Sequence, residues 1–423
     1  MGRRYSFFAE RFLETHPTLT NEERMHKMIV MDPDSSRFEY KYEYTDEFYD
    51  EAVKNEFVFL INQLIPQISR LTDAEITYEL LHILTTLEDV HVGINVWSGA
   101  CVPIDLEIIY EDNDPSYYAV RVPQGFEHLL LGKLTAINSV PIADIVDRFR
   151  EYQTHENDYW LFNRLGNSYC YGCFLVQMDA LHVIGVAEAD ATDVVYTFET
   201  GAGTVDAVIQ TMSTKEYESI YLAEQLISHP MLKKFAYNAR KGNYWYELLN
   251  GGKTLYIRFS SMYEDPEYLL NNFRGEVQKI IREAETPLQV IFDFRNNDGG
   301  QFFIDEFNSL TTAINQAKTN GVYILINSGS CSAGNLIPYR LAQSIEGAQL
   351  VGSPTGQYVN GFGDPIYYTM PHHGYEFAVS SVHYKTVSNP TEDALYPDIW
   401  IEQTMEDYKN GIDTVFQYAL DAE

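Results

Sequence analysis

The sequence predicts an α/β protein built on a largely parallel sheet, and three observations carry that expectation. The last third of the chain alternates apolar runs with amphipathic stretches in the order β-α-β-α-β-α-β. Hydrophobic residues make up 45% of the 423 residues, enough to fill substantial cores. Two loops of small residues, Arg295-Asn296-Asn297-Asp298-Gly299-Gly300 and Asn327-Ser328-Gly329-Ser330-Cys331-Ser332-Ala333-Gly334-Asn335, follow apolar runs where strands would pass into helices. In such sheets, crossovers are right-handed and sites collect at the carboxyl ends of strands.

The elements follow in order. Residues 48–65 place apolar side chains at helical spacing, and Thr72-Asp73-Ala74-Glu75 reads as a capping box opening a second helix. That helix runs into Leu87-Glu88-Asp89-Val90-His91-Val92-Gly93. Strand-like runs cover 102–109, 117–122 and 134–137, and 132–144 reads as strand, turn and short helix. A helical stretch covers 158–178 and a polar β-rich region 193–211. The last third then reads as strand 254–259, a helix opened by Asp265-Pro266 and ending at 283, strand 289–294, helix 303–317, strand 322–327, helix 332–345 and strand 349–352. Pro338 lies inside the last helix, where it predicts a kink or a late start. The expected layout is a helical domain over 1–95, a β-rich middle region over 96–250 and an α/β core over 251–423.

Charge narrows the partners. Against 61 acidic side chains stand 29 basic ones, a formal charge of −32, which argues against nucleic acid or an anionic membrane surface. The charge reads as a solvated acidic surface. Cys170-Tyr171-Gly172-Cys173 has C-x-x-C spacing but no second ligand pair, so two buried thiols are expected rather than zinc. Cys331 reads as a small packed residue. No cofactor and no metal are expected. No apolar run reaches the length of a membrane span, and the first residues lack a signal-type apolar core; no location is read from them.

Four groups of residues carry candidate chemistry. Ser332, at a helix start, is either an N-cap or a nucleophile lifted to the sheet edge, where a helix N-terminus supplies donors for an acyl oxyanion. Gly299 and Gly300 either form a tight βα turn or, lacking Cβ atoms, let backbone N–H groups approach a ligand as an oxyanion hole together with Ala333. His91, with Asp89 nearby in a short loop, is the candidate general base; the other ten histidines lack comparable company, and His372-His373 reads as an exposed turn. Glu392 or Asp393 is the candidate carboxylate to orient the imidazole, against the plainer reading of a solvated acidic turn.

Together these residues resemble the S41 peptidases, the tail-specific or C-terminal processing proteases, over most of the chain after about residue 47. Ile291-Phe292-Asp293-Phe294-Arg295-Asn296-Asn297-Asp298-Gly299-Gly300 is similar to the family's D-x-R-x-N-x-G-G strand and loop. Gly329-Ser330-Cys331-Ser332-Ala333 resembles its nucleophile segment, Val351-Gly352-Ser353-Pro354-Thr355-Gly356 the strand after it, and Tyr396-Pro397-Asp398-Ile399 its P-D-I element. Leu87-Glu88-Asp89-Val90-His91 is similar to the L-x-D-x-H segment of the interphotoreceptor retinoid-binding and tricorn-like branch. The resemblance implies a ClpP/crotonase-like α/β core, a PDZ-like middle region and a peptide or protein as substrate.

There are departures. Dyad-type members carry Lys after the Gly of T-F-G-K-G, whereas Gln357 follows Gly356 here, and an amide cannot serve as a base. Cys331 replaces a small or hydroxyl residue, and Ser139 replaces the Gly of an I-N-G turn. The resemblance therefore implies a serine endopeptidase with Ser332 as nucleophile and His91 as base. The rival expectation is a binding protein on the same fold, holding a peptide or apolar ligand.

Overall fold

The computed structural model describes residues 51–95, 99–111, 114–166, 173–235, 242–302, 304–317, 319–369, 376–388 and 392–422. Cys170 and His372-His373 lie outside them. Two helices open the described chain, Glu51–Leu64 and Asp73–Thr85. The second starts on the expected capping box: the Glu75 N–H donates to Thr72 Oγ1 at 3.2 Å, and the Thr72 N–H donates to Glu75 Oε2 at 2.6 Å.

The middle region is an antiparallel sheet containing the strands Asp105–Glu111, Asp114–Val122, Lys133–Ile137, Asp193–Thr200 and Gly203–Gln210. Its last hairpin alternates buried and exposed positions, as a sheet covered on one face must. The helical run expected over 158–178 is interrupted. It consists of the helix Asp158–Gly166, a 3-10 turn Phe174–Val176 and a short helix Met178–Val183.

The last third forms a six-stranded sheet. Thr254–Phe259, Gln289–Asp293, Val322–Ile326, Ala348–Gly352 and Ile399–Trp400 are parallel neighbours, with Tyr244–Leu249 antiparallel at one edge. The three strands at 254–259, 289–293 and 322–326 are buried along their whole length, which explains their unbroken apolar runs. The helices Leu270–Glu283, Asn308–Gln316 and Ala333–Ser344 cover one face, and Thr414–Asp421 covers the other. Asp398 of the P-D-I element accepts the Leu350 N–H at 2.8 Å and so pins the strand beside it.

Two boundaries differ from expectation. Asp265-Pro266 forms a turn, with Asp265 Oδ1 accepting the Glu267 N–H at 3.0 Å. The helix begins only at Leu270, whose N–H is taken by Glu264 Oε1 at 2.6 Å. The helix expected over 303–317 begins as a 3-10 turn, Ile304–Phe307. Pro338 does not delay its helix, which starts at Ala333.

Two large cores result. Tyr78, Leu81 and Leu84 of the second helix share the first with Leu106, Tyr117, Leu134 and Phe198, so this core runs across the expected boundary at residue 95. The second fills the α/β region. Among the described residues, no helix is long and apolar enough to cross a membrane.

Candidate active site

Ser332 stands where the strand Val322–Ile326 passes into the helix Ala333–Ser344. Its backbone has φ 54° and ψ −128°, a region that residues with a Cβ rarely enter. It occupies the N-cap position, yet its hydroxyl makes no capping hydrogen bond. The plain reading of an N-cap serine therefore fails here. The strained conformation exists because the surrounding loops over-determine it.

Those loops are stitched together residue by residue. Asn327 Oδ1 accepts the N–H groups of Asn296 at 2.8 Å and Gly329 at 3.1 Å. Ser330 Oγ donates to the Phe294 carbonyl at 3.0 Å, and the Cys331 N–H donates to the Asn297 carbonyl at 3.0 Å. Gly299, at φ +98°, lies against Ser332: a Cβ added there would sit 2.6 Å from Ser332 Cβ and 2.9 Å from the Ala333 nitrogen. Arg295 is a brace under this arrangement, paired with Asp293 and, through both Nη atoms, with Asp413.

Of the three expected oxyanion donors, Gly299 is already engaged, its N–H donating to Asn297 Oδ1 at 2.9 Å. Its contribution is the room left by its missing Cβ. Among the described residues, the N–H groups of Gly300 and Ala333 have no backbone acceptor.

Gln357 is buried and its side chain is fully engaged in hydrogen bonds. Oε1 accepts the Ser332 N–H at 2.7 Å, while Nε2 donates to the Phe362 carbonyl at 2.8 Å and to Glu156 Oε1 at 3.2 Å. Glu156 is buried, and its Oε2 accepts the Tyr358 N–H at 2.9 Å. Burial, and next the neighbouring Asp89, push its carboxyl well above the usual carboxylate range. Sequence reasoning missed Glu156, which lies in a polar stretch with no motif around it. Cys331 is a buried, packed thiol as expected, with burial driving its pKa well above the ordinary value.

His91 is largely buried, its side chain 11% exposed, beside a fully buried Asp89. Asp89 Oδ1 accepts the His91 backbone N–H at 2.8 Å and lies 3.7 Å from Nδ1, which has no hydrogen-bond partner among the described residues. The His91 loop reaches the strand pair Phe362–Gly363 and Val382–His383, where a Cβ on Gly363 would lie 4.0 Å from His91 Cε1. A second imidazole stands there: His383 stacks on Phe362 at 4.5 Å, with burial lowering its pKa, Lys385 adding to that and Asp89 opposing. The expectation that no other histidine has comparable company is thereby corrected.

The acidic pair borders the site without reaching the imidazole. Asp393 Oδ1 accepts the Tyr396 hydroxyl at 2.9 Å and its carbonyl accepts Asn157 Nδ2 at 2.7 Å, while Glu392 is exposed. The carboxylate that this geometry brings beside His91 is Asp89.

No family model matches the chain, and no curated protein matches it. Solved structures do. Mature CPAF complexed with lactacystin aligns over 92% of this chain and 94% of that one, at TM-score 0.57 and 12% identity. The CPAF s499a mutant aligns over 86% and 92%, at TM-score 0.56 and 11% identity. The tricorn protease aligns over 89% of this chain and 35% of that one at TM-score 0.40 and 13% identity, too loosely to carry an argument. At such identities the likeness is one of fold: a mixed helix-and-sheet architecture shared with CPAF along nearly the whole chain.

Proposed function

We propose that this protein is a serine endopeptidase of the S41 type, acting on peptides or proteins through an acyl-enzyme. The observation that carries the reading is Ser332 itself, a non-glycine residue at φ 54° whose hydroxyl is not used as a cap, with the N–H groups of Gly300 and Ala333 making no backbone hydrogen bond among the described residues. In this reading His91 takes the Ser332 proton as Oγ attacks the scissile carbonyl. The tetrahedral oxyanion rests on the N–H groups of Gly300 and Ala333. The proton then passes to the leaving amine, and water hydrolyses the acyl-enzyme by the same route. Asp89 is the carboxylate nearest the imidazole; of the acidic pair, Glu392 is the one not held by a hydrogen bond among the described residues, and so able to turn inward. The same reading takes the core as ClpP/crotonase-like and the middle sheet as PDZ-like.

A fluorophosphonate probe tests the nucleophile. Wild type should label and Ser332→Ala should not; equal behaviour of the two would sink the proposal. The base is tested beside it: His91→Ala should lower the labelling rate by about 100-fold or more, and His383→Ala should leave it within a few-fold. Comparing Asp89→Asn with Glu392→Gln then identifies the orienting carboxylate, the larger loss marking it. The unpartnered Nδ1 of His91 favours a second reading, a binding protein for a peptide or apolar ligand on the same fold. That reading predicts no labelling at all.

A further inference from the structure

One buried carboxylate, Glu156, lies between the segment that holds Ser332 and the loop that carries His91. Gln357 must turn its oxygen to the Ser332 N–H, because that group can only donate, at 2.7 Å. Its amino group is thereby directed at the Phe362 carbonyl and at Glu156. Glu156 in turn accepts the Tyr358 N–H, and the backbone of Val90, next to His91, lies close enough to the same carboxyl to favour its charged form. Asp89, on the other side of Val90, holds the His91 backbone N–H. The donors and acceptors along this path have only one self-consistent orientation.

We propose that Glu156 and Gln357 are positioning residues, a clamp that holds Ser332 in its positive-φ conformation and in register with the loop carrying His91. The inference rests on the serine-peptidase reading for its catalytic consequence, but not for its structural one. Both side chains are buried. Glu156 acts through Gln357 on the nucleophile turn, and through Val90 on the base loop. The clamp also explains how an amide serves where dyad enzymes have a lysine: this position supplies an acceptor to the main chain in place of a base.

Glu156→Gln turns an amino group toward that of Gln357 or strips the Tyr358 N–H of its acceptor, at nearly constant volume. It should lower kcat for p-nitrophenyl acetate and the rate of fluorophosphonate labelling by about 10- to 100-fold, with KM changed less than about twofold. Gln357→Glu should do the same. The reciprocal double variant, Glu156→Gln with Gln357→Glu, rebuilds the contact between 156 and 357 in reversed polarity, though not the donor to the Phe362 carbonyl, and should recover about threefold or more of the loss. Single variants that react at the wild-type rate, or a swap that recovers nothing, would overturn the clamp. A wild type that neither labels nor turns over would instead count against the peptidase reading. The clamp then stands on crystal structures of Glu156→Gln and Gln357→Ala, in which Ser332 should relax to negative φ. A serine that keeps φ near 54° in both variants would refute it.

Discussion

Gly299 shows how tightly a single residue can be specified. The candidate nucleophile needs its Cβ in the space where any other residue at 299 would put its own, since the two would approach to 2.6 Å. Gly299→Ala adds that clash to a residue held at φ +98°. It should abolish probe labelling and cost about 2–4 kcal/mol of stability, read from denaturant midpoints. At this scale the sequence was informative wherever a motif carried the residue. Ser332, His91 and the glycine pair were all named from it. Glu156 was not legible, because a glutamate among polar neighbours looks like surface until the fold buries it. In the sequence Gln357 shows only that it is no base; its use as an acceptor for a backbone N–H follows from the fold that brings it to Ser332. The acidic pair was read as the imidazole's partner, whereas a carboxylate two residues from His91 stands closest.

At the scale of elements, local chemistry decides where helices and turns begin. Asn138 and Ser139 both have positive φ, at 46° and 67°, in the two-residue turn that pairs Ile137 with Val140. Such a turn favours Asn-Gly. Ser139→Gly should therefore raise stability by about 1 kcal/mol, seen as a small upward shift of the thermal midpoint. The capping box at Thr72 is legible because its two halves lie only three residues apart in the sequence. The start at Leu270 was not, since a Pro after an Asp signals a helix N-terminus and nothing local reveals that Glu264 supplies the cap instead. The buried parallel strands were readable from their continuous apolar runs, and the edge pairing of Tyr244–Leu249 was settled by tertiary contacts.

For the whole molecule, buried charge sets the pH window of stability. Burial works to raise Asp293, but Arg295 and then Arg258 outweigh it and hold its carboxyl at about 2. The folded value lies below the ordinary one, so this contribution is present above pH about 4 and is lost as pH falls toward about 2. The loss amounts to about 2 kcal/mol, and Asp293→Asn should remove that slope while lowering stability at neutral pH. Glu107 runs the other way. Burial, opposed by Arg121 and reinforced by Asp105, raises it to about 7. The folded state then holds the proton more tightly, and stability falls by about 3 kcal/mol as pH rises from about 4.5 to about 7. Glu107→Gln should flatten that limb in urea titrations taken at several pH values.

The two cores have a consequence for how this molecule fails. Leu87, Val92 and Ile94, on either side of His91, are rooted in the first core, while Ile326 and Ile337, on either side of Ser332, are rooted in the second. In the proposed reading the pair works as a coincidence detector, intact only while both halves hold their mutual seating. A mild denaturant that loosens that seating should silence the protein while each half keeps its secondary structure. Probe labelling should disappear at a lower urea concentration than the far-ultraviolet helix signal, and coincident transitions would show instead that the halves melt as one.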